Sequence, residues 1–227
     1  MPLILNIETS SPVCSVCLAQ DGKLLGYRET TEANSHARLL TTMIAELLNE
    51  NKITYAQLEA VAVSSGPGSY TGLRIGVSVA KGLCYSLGIP LLSVPTLQSI
   101  AENMRQRTNY PLSYYLTLMD AKRMDAFVSI FDQQGKEVLS AKAVTLDTNF
   151  VNEISGFGQV GIGGNCLEKC RTVFDNSFVF VENTDCTSRS MIGISEKKMA
   201  EKRFENTAYF EPVYVKEFEV KVKKNIP

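Results

Sequence analysis

The sequence predicts an α/β fold built twice. Three observations lead there. Apolar runs of strand length alternate with longer stretches whose apolar residues recur at helical spacing. The first half reads βββαβαβα, and a second three-strand opening begins near Asn109. Each opening holds a turn signal, Asp21-Gly22 in the first and "QQG" in the second. Strands alternating with helices imply mostly parallel sheets with helices on their faces. The residues themselves do not repeat, so the duplication is one of rhythm. Residues 1–108 read as the first half, 109–216 as a second, partly degenerate half, and 217–227 as a mobile tail of alternating charge.

Leu3–Ser10 ("LILNIETS") is an apolar run with a small polar exit, which marks a buried strand. Val13–Gln20 follows a Ser-Pro turn, and Asp21-Gly22 signals a hairpin. Lys23–Thr30 returns, with Gly26 weakening the strand or marking a bulge. Ser35–Asn51 carries apolar residues at 39, 40, 43, 44, 47 and 48, a wide helical stripe that Asn34 or Ser35 would cap. Strand Leu58–Gly66, helix Tyr70–Leu87, strand Ile89–Val94 and helix Thr96–Arg107 complete the first half. In the second, Leu112–Lys122, Met124–Asp132 and Glu137–Leu146 read as strands, with a short helix near Asn149–Ile154. "QVGIGGN" (Gln159–Asn165) enters another short helix, Ser177–Glu182 is a strand, and Ser188–Asn206 is the last long helix.

With 227 residues, 44% of them hydrophobic, the chain can bury a sizeable core. Its formal net charge of -1 argues against a chain that grips nucleic acid alone. No apolar run reaches the roughly 20 residues of a membrane span, and "MPLILNIETS" lacks the charged start of a signal peptide. A cytoplasmic protein without membrane contact is expected. Six cysteines fit that compartment as buried free thiols. A zinc site shared by Cys14, Cys17, Cys166 and Cys170 is disfavoured, because strand residues three apart point to opposite faces. The single histidine, His36, excludes a two-histidine metal motif and reads as a helix-start cap or surface residue.

The densest motif is "SSGPGSYTGLRIGVSVAKGL" (Ser64–Leu83). It is not a Walker loop, since Leu73-Arg74 follow Gly72 where Lys and Ser/Thr are required. A generic anion site at the helix N-terminus is one reading. The other is close packing. Gly72, Gly76 and Ala80 recur every four residues and form one small-residue stripe, with Leu73, Ile75, Val79 and Leu83 beside it. Spacing alone does not say whether the stripe faces a partner or the chain's own core. Glu8, Thr9 and Ser10 end the first strand and Asp120 ends the matching strand of the second half. Ligands sit beyond such carboxyl ends, and acids there either hold Mg²⁺ and phosphate or simply form turns. "GFGQVGIGGN" (Gly156–Asn165) lacks a cationic neighbour and reads as a tight turn.

The stretches "LILNIETSSPVCSVCLAQDGK", "SHARLL", "AVSSGPGSYTGLRIGVSVAKGL", "VPTLQSIA", "MDAKRMDAF" and "EPVYVK" occur in the order seen in the TsaB (YeaZ) family. The chain resembles that family densely in its first half and sparsely to about Lys216. The resemblance implies a duplicated actin-like, sugar-kinase-like (ASKHA) fold. It implies a non-catalytic paralogue of TsaD, which transfers threonylcarbamoyl to the tRNA adenosine next to the anticodon. The chain would act as a scaffold subunit that binds and activates TsaD, helps recruit the ATPase TsaE, pairs with itself when alone, and meets tRNA only through the complex. The implied interface is the helix pair Ser35–Asn51 and Tyr70–Leu87, through Leu39, Leu40, Met43, Ile44, Leu47, Gly72, Leu73, Ile75, Gly76, Val79, Ala80 and Leu83. Glu8, Thr9, Ser10 and Asp120 would be a vestigial nucleotide site. No catalytic residue, metal or resident cofactor is implied, with ATP or ADP placed at the interface of the complex. Two departures from TsaD agree. Its two metal-binding histidines have no counterpart in "VPTLQSIA", and "SPVCSV" replaces the acidic residues that follow its "IETS". The competing expectation is an active ATP-dependent phosphotransferase of the same fold.

Overall fold

β1 (Leu3–Glu8) is buried along its whole length, which requires cover on both faces. It pairs antiparallel with β2 (Cys14–Gln20) and parallel with β4 (Ala60–Ser64). With β3 (Lys23–Thr30) and β5 (Leu91–Val94) the order is β3-β2-β1-β4-β5. The second sheet repeats this plan around β6 (Tyr114–Asp120). β7 (Asp125–Asp132) and β8 (Glu137–Thr145) lie antiparallel on one side, β9 (Val160–Gly164) and β10 (Val179–Phe180) parallel on the other. Two five-stranded sheets of one topology bear out the duplicated α/β expectation. The structure, a computed structural model, describes residues 2–32, 36–108 and 112–215. The expected caps Asn34 and Ser35, the start of the second half at Asn109 and the tail 217–227 lie outside these.

The hairpin signal is used as read: Asp21 and Gly22 have φ of 55° and 70°, the pair of positive values a type I′ turn needs. The register slips between Leu18 and Ala19, opposite Gly26, so the glycine does mark a bulge. A side chain at Gly26 would run into Asn51 and Leu47.

α1 (His36–Glu50) and α2 (Tyr70–Leu87) cover one face of the first sheet. Leu40, Met43, Ile44, Leu47 and Leu48 meet Val77, Ala80 and Cys84 over Leu5, Ile7, Val16 and Val63. The other face is closed from far along the chain. Met191, Ile192, Ile194 and Met199, from the 3₁₀ turn Ser188–Met191 and α6 (Ile192–Ala200), cover Ile4, Ala62, Leu92 and Cys17. Conversely, α3 (Thr96–Arg107) packs Leu97, Ile100, Ala101 and Met104 against Tyr115, Met119 and Phe131 of the second sheet. Each half therefore lends a helix to the other across the expected boundary at residue 108. α4 (Thr148–Ile154) and α5 (Leu167–Cys170) close the second sheet's remaining face.

Three expectations change. The glycine-rich segment is a buried strand, β9, rather than a tight turn. Its glycines make room: a Cβ at Gly163 would meet Met104 Sδ at 2.5 Å, and one at Gly164 would meet Leu118 O at 1.8 Å. The strand at Ser177–Glu182 shrinks to Val179–Phe180, the residues that find partners on β9. The last helix ends at Ala200, where Lys202 turns at φ 54° and Arg203 N–H bonds back to Lys198 O at 2.9 Å.

The chain then straps the first half. Glu205 bridges Leu91 on the exposed edge of β5, covering part of a row of free backbone groups. Lys81 Nζ donates to the carbonyls of Ala208 and Phe210, each at 3.0 Å. Val213 N–H donates to Ser65 O at 2.8 Å. Tyr214 stacks on Tyr70 at 4.9 Å between centroids and accepts from Arg74 Nε at 3.2 Å.

The stripe of small residues on α2 faces inward, towards Thr9. Gly76→Leu should therefore destabilise the monomer by about 1–3 kcal/mol through overpacking. That lowers the melting temperature by roughly 2–10 °C for a chain this size. Thermal unfolding followed by circular dichroism measures it, and an unchanged transition would refute the inward assignment.

Candidate functional site

α2 begins with Ser69 as its cap, whose hydroxyl accepts from Gly72 N–H at 3.2 Å, and ends at Gly88 with φ 67°. Its inner face meets the exit of β1. A Cβ at Gly72 would sit 2.1 Å from Thr9 O, and one at Gly76 2.2 Å from Thr9 Oγ1. Gly72, Leu73, Gly76 and Ala80, with Leu40, Met43, Ile44 and Leu47 of α1, are buried in the chain's own core. These eight expected interface residues are thus consumed internally. Leu39, Ile75, Val79 and Leu83 stay half-buried at the margin.

The outward face is different. Thr71, Ser78, Gly82 and Tyr85 are exposed on α2, and Ala37, Thr41 and Ala45 on α1. Nothing lies within 4 Å of a Cβ placed on Gly82, and Tyr85 is 88% exposed. Small side chains leave two helix backbones open to close approach, flanked by half-buried Ile75, Val79 and Leu83. Four-residue spacing of small residues occurs on both faces. Ser78 and Gly82 lie opposite the apolar stripe on a helical wheel, which is how the sequence marks them.

The strand-end residues sit in different environments. Glu8 is fully buried, its Oε1 accepting from Ser10 N–H at 2.6 Å while Oε2 has no partner among the described residues. Burial raises its pKa above the usual carboxylate range, and the hydrogen bonds from Ser10, Ser64 and Thr9 only partly oppose that. Ser69 N–H donates to Ser10 O at 2.7 Å, and a Cβ at Gly68 would lie 2.4 Å from the same oxygen. The loop and helix start are closed down on the strand end. Asp120, by contrast, is partly exposed on the rim of a cavity of about 380 Å³. It pairs with Lys169, and its N–H donates to Asn165 Oδ1 at 2.8 Å. Among the described residues no hydrogen bond joins Glu8 to Asp120. Lys169 and Asn165 escaped the sequence reading because their roles depend on pairing β6 with β9.

The chemistry available is limited. The His36 ring lies 3.0 Å from Ser11 O, so Nε2 carries the proton and donates to a carbonyl rather than to a nucleophile. Cys14 and Cys17 point into different clusters, as strand alternation requires. Among the described residues no group of three or more metal-ligating side chains converges, and no helix is long and apolar enough to cross a membrane.

Comparison with known proteins agrees with the fold. YeaZ from Pseudomonas aeruginosa superposes with a TM-score of 0.82 at 22% identity, over 94% of this chain and 100% of that one. A glucomannokinase from an Arthrobacter strain superposes at 0.52 with 12% identity, over 88% and 100%. These place the fold among the actin-like and sugar-kinase-like proteins. The TsaB protein of Escherichia coli K12, named for tRNA threonylcarbamoyladenosine biosynthesis, is 33% identical over 99 residues, 44% of this chain and 42% of that protein. TsaB of Bacillus subtilis 168 is 35% identical over 102 residues, 45% and 44%. The chain matches under half the length of these two curated relatives. The family model of TsaD, the tRNA N6-adenosine threonylcarbamoyltransferase, matches residues 29–219, and on these grounds the chain belongs to that family, within its TsaB (YeaZ) group.

Proposed function

We propose that the chain is a non-catalytic scaffold subunit in making threonylcarbamoyladenosine on tRNA. One observation carries this reading: the outward face of α1 and α2, where small side chains and the exposed Tyr85 offer a helix-packing surface. The partner is the transferase TsaD, the enzyme the matching family model describes. The same face pairs two copies when TsaD is absent. TsaE joins the assembled pair, and tRNA meets the chain only inside the complex, in the cytoplasm. The apolar core of such a contact is Ile75, Val79 and Leu83, with Leu39 at its margin. The inward Gly72–Gly76–Ala80 stripe sets the height at which α2 stands.

The phosphotransferase reading is not favoured. A nucleotide with its metal ion needs an accessible carboxylate at a strand end, and Glu8 is fully buried, its charged form disfavoured by that burial. Lys169 neutralises Asp120 at the matching end of the second sheet. The strand ends are a vestige that does not fit the ligand, so adenine nucleotide used by the assembly belongs at the junction between subunits.

Gly82→Arg should leave melting unchanged or slightly higher, since Arg is the better helix former. It should weaken TsaD binding and self-pairing at least tenfold by placing a long cation on the face. Titration calorimetry and sedimentation read both, and full binding by the folded variant would reject this surface.

Glu8 makes stability depend on pH. Its folded pKa is raised, so the stability of the neutral buried form is fully present below about pH 4.5, the unfolded value. It is lost as pH rises from there through the folded pKa, at up to about 1.4 kcal/mol per unit. Glu8→Gln should therefore be more stable than the parent at pH 8, with the difference closing towards pH 4.5. Urea unfolding at both values tests this, and a variant less stable at pH 8 would contradict it.

A further inference from the structure

Six cysteines lie in this chain, and two are placed differently from the rest. Cys166 caps α5 and Cys170 ends it, with Cys170 N–H donating to Cys166 O at 3.3 Å. Residues so related in a helical turn have Cα atoms about 6 Å apart, inside the window of roughly 4.4–6.8 Å that a disulfide spans. Cys166 lines the cavity of about 380 Å³ at the ends of β6 and β9, with Asn165, Lys169 and Thr184 beside it. Cys170 is buried behind it. A sulfur on a cavity wall, with a second sulfur one helical turn on and a lysine beside it, is the arrangement of an attacking thiol and its resolving partner.

We propose that Cys166 and Cys170 form a hydroperoxide-sensitive dithiol that closes to an intramolecular disulfide. In the first step the Cys166 thiolate attacks the distal oxygen of a hydroperoxide. An S–O bond forms, the O–O bond breaks, and hydroxide or alkoxide leaves and takes a proton from water. Cys166 is oxidised to the sulfenic acid and the hydroperoxide is reduced. In the second step the Cys170 sulfur attacks the Cys166 sulfur. The S–S bond forms, the S–O bond breaks, and water departs with the Cys170 proton.

The electrostatics support this order. The hydrogen bond from Cys170, helped by the Lys169 ammonium, lowers the Cys166 pKa against the opposing effects of burial and Asp120. The other cysteines are raised, chiefly by burial: Cys14 and Cys84 to about 11 and Cys17 to about 12, with Cys186 higher still. They serve as internal controls, because little thiolate is available on them to react. The proposal stands whether or not the chain pairs with TsaD.

The test treats the full chain with hydrogen peroxide, quenches, unfolds it in N-ethylmaleimide and weighs it. Four maleimide adducts and a mass two hydrogens lower are expected, with digestion mapping the link to Cys166–Cys170 and dithiothreitol restoring six adducts. The pair should oxidise at least tenfold faster than Cys84 or Cys186. Cys170→Ser, once shown to melt like the parent, should accumulate a dimedone-reactive sulfenic acid at Cys166. Six adducts under conditions that oxidise a free thiol peptide would overturn the proposal. So would a link through any other cysteine, or a folded Cys170→Ser without a dimedone adduct. Should that variant not fold, the mapped link in the parent decides alone.

Discussion

The contact between Thr9 and the start of α2 sets the rest of the first half. Two glycines on one helix turn let the helix backbone come down on the end of a central strand, nearer than any side chain allows. Once α2 is fixed there, the remaining positions follow. Its inner stripe is buried, its flank meets α1, and its outer face is left to the surroundings. The loop from Gly66 to Ser69 also comes down on the exit of β1, where a backbone hydrogen bond from Ser69 to Ser10 holds it.

The second constraint is the exchange of helices. Neither sheet is covered on both faces by segments of its own half: α3 serves the second sheet, and the 3₁₀ turn with α6 serves the first. The interior is therefore continuous across the midpoint.

Local chemistry made much of this legible. Ser69 and Gly88 bracket α2, and the residues between them form a helix with the same ends the sequence suggests. Asp21-Gly22 makes the turn it signals. What local signals do not carry is direction. Gly72 and Gly76 on one face and Ser78 and Gly82 on another have the same four-residue spacing. The helical wheel sets the two pairs apart, and the long-range contact with Thr9 shows which of them faces inward. The segment around Gly161–Gly164 misleads for a related reason: its glycines serve Met104 and Leu118, which are remote in sequence. Asp120 was visible as a strand-end acid, but its neutralisation by Lys169 depends on how β9 is placed beside β6.

The strap along β5 and α2 has a consequence for how the chain is made. Synthesis runs from the N-terminus, and the five strands of the first sheet are all present once residue 94 has emerged. Their second face has no cover until residues 188–200 exist, and the edge of β5 stays open until Glu205 arrives. A nascent first half therefore carries an uncovered apolar sheet and an unpaired edge, the features that invite aggregation or a chaperone. The segment that closes the first sheet is made only after all five strands of the second. Cover of the first sheet therefore waits until residues 188–205 have been made.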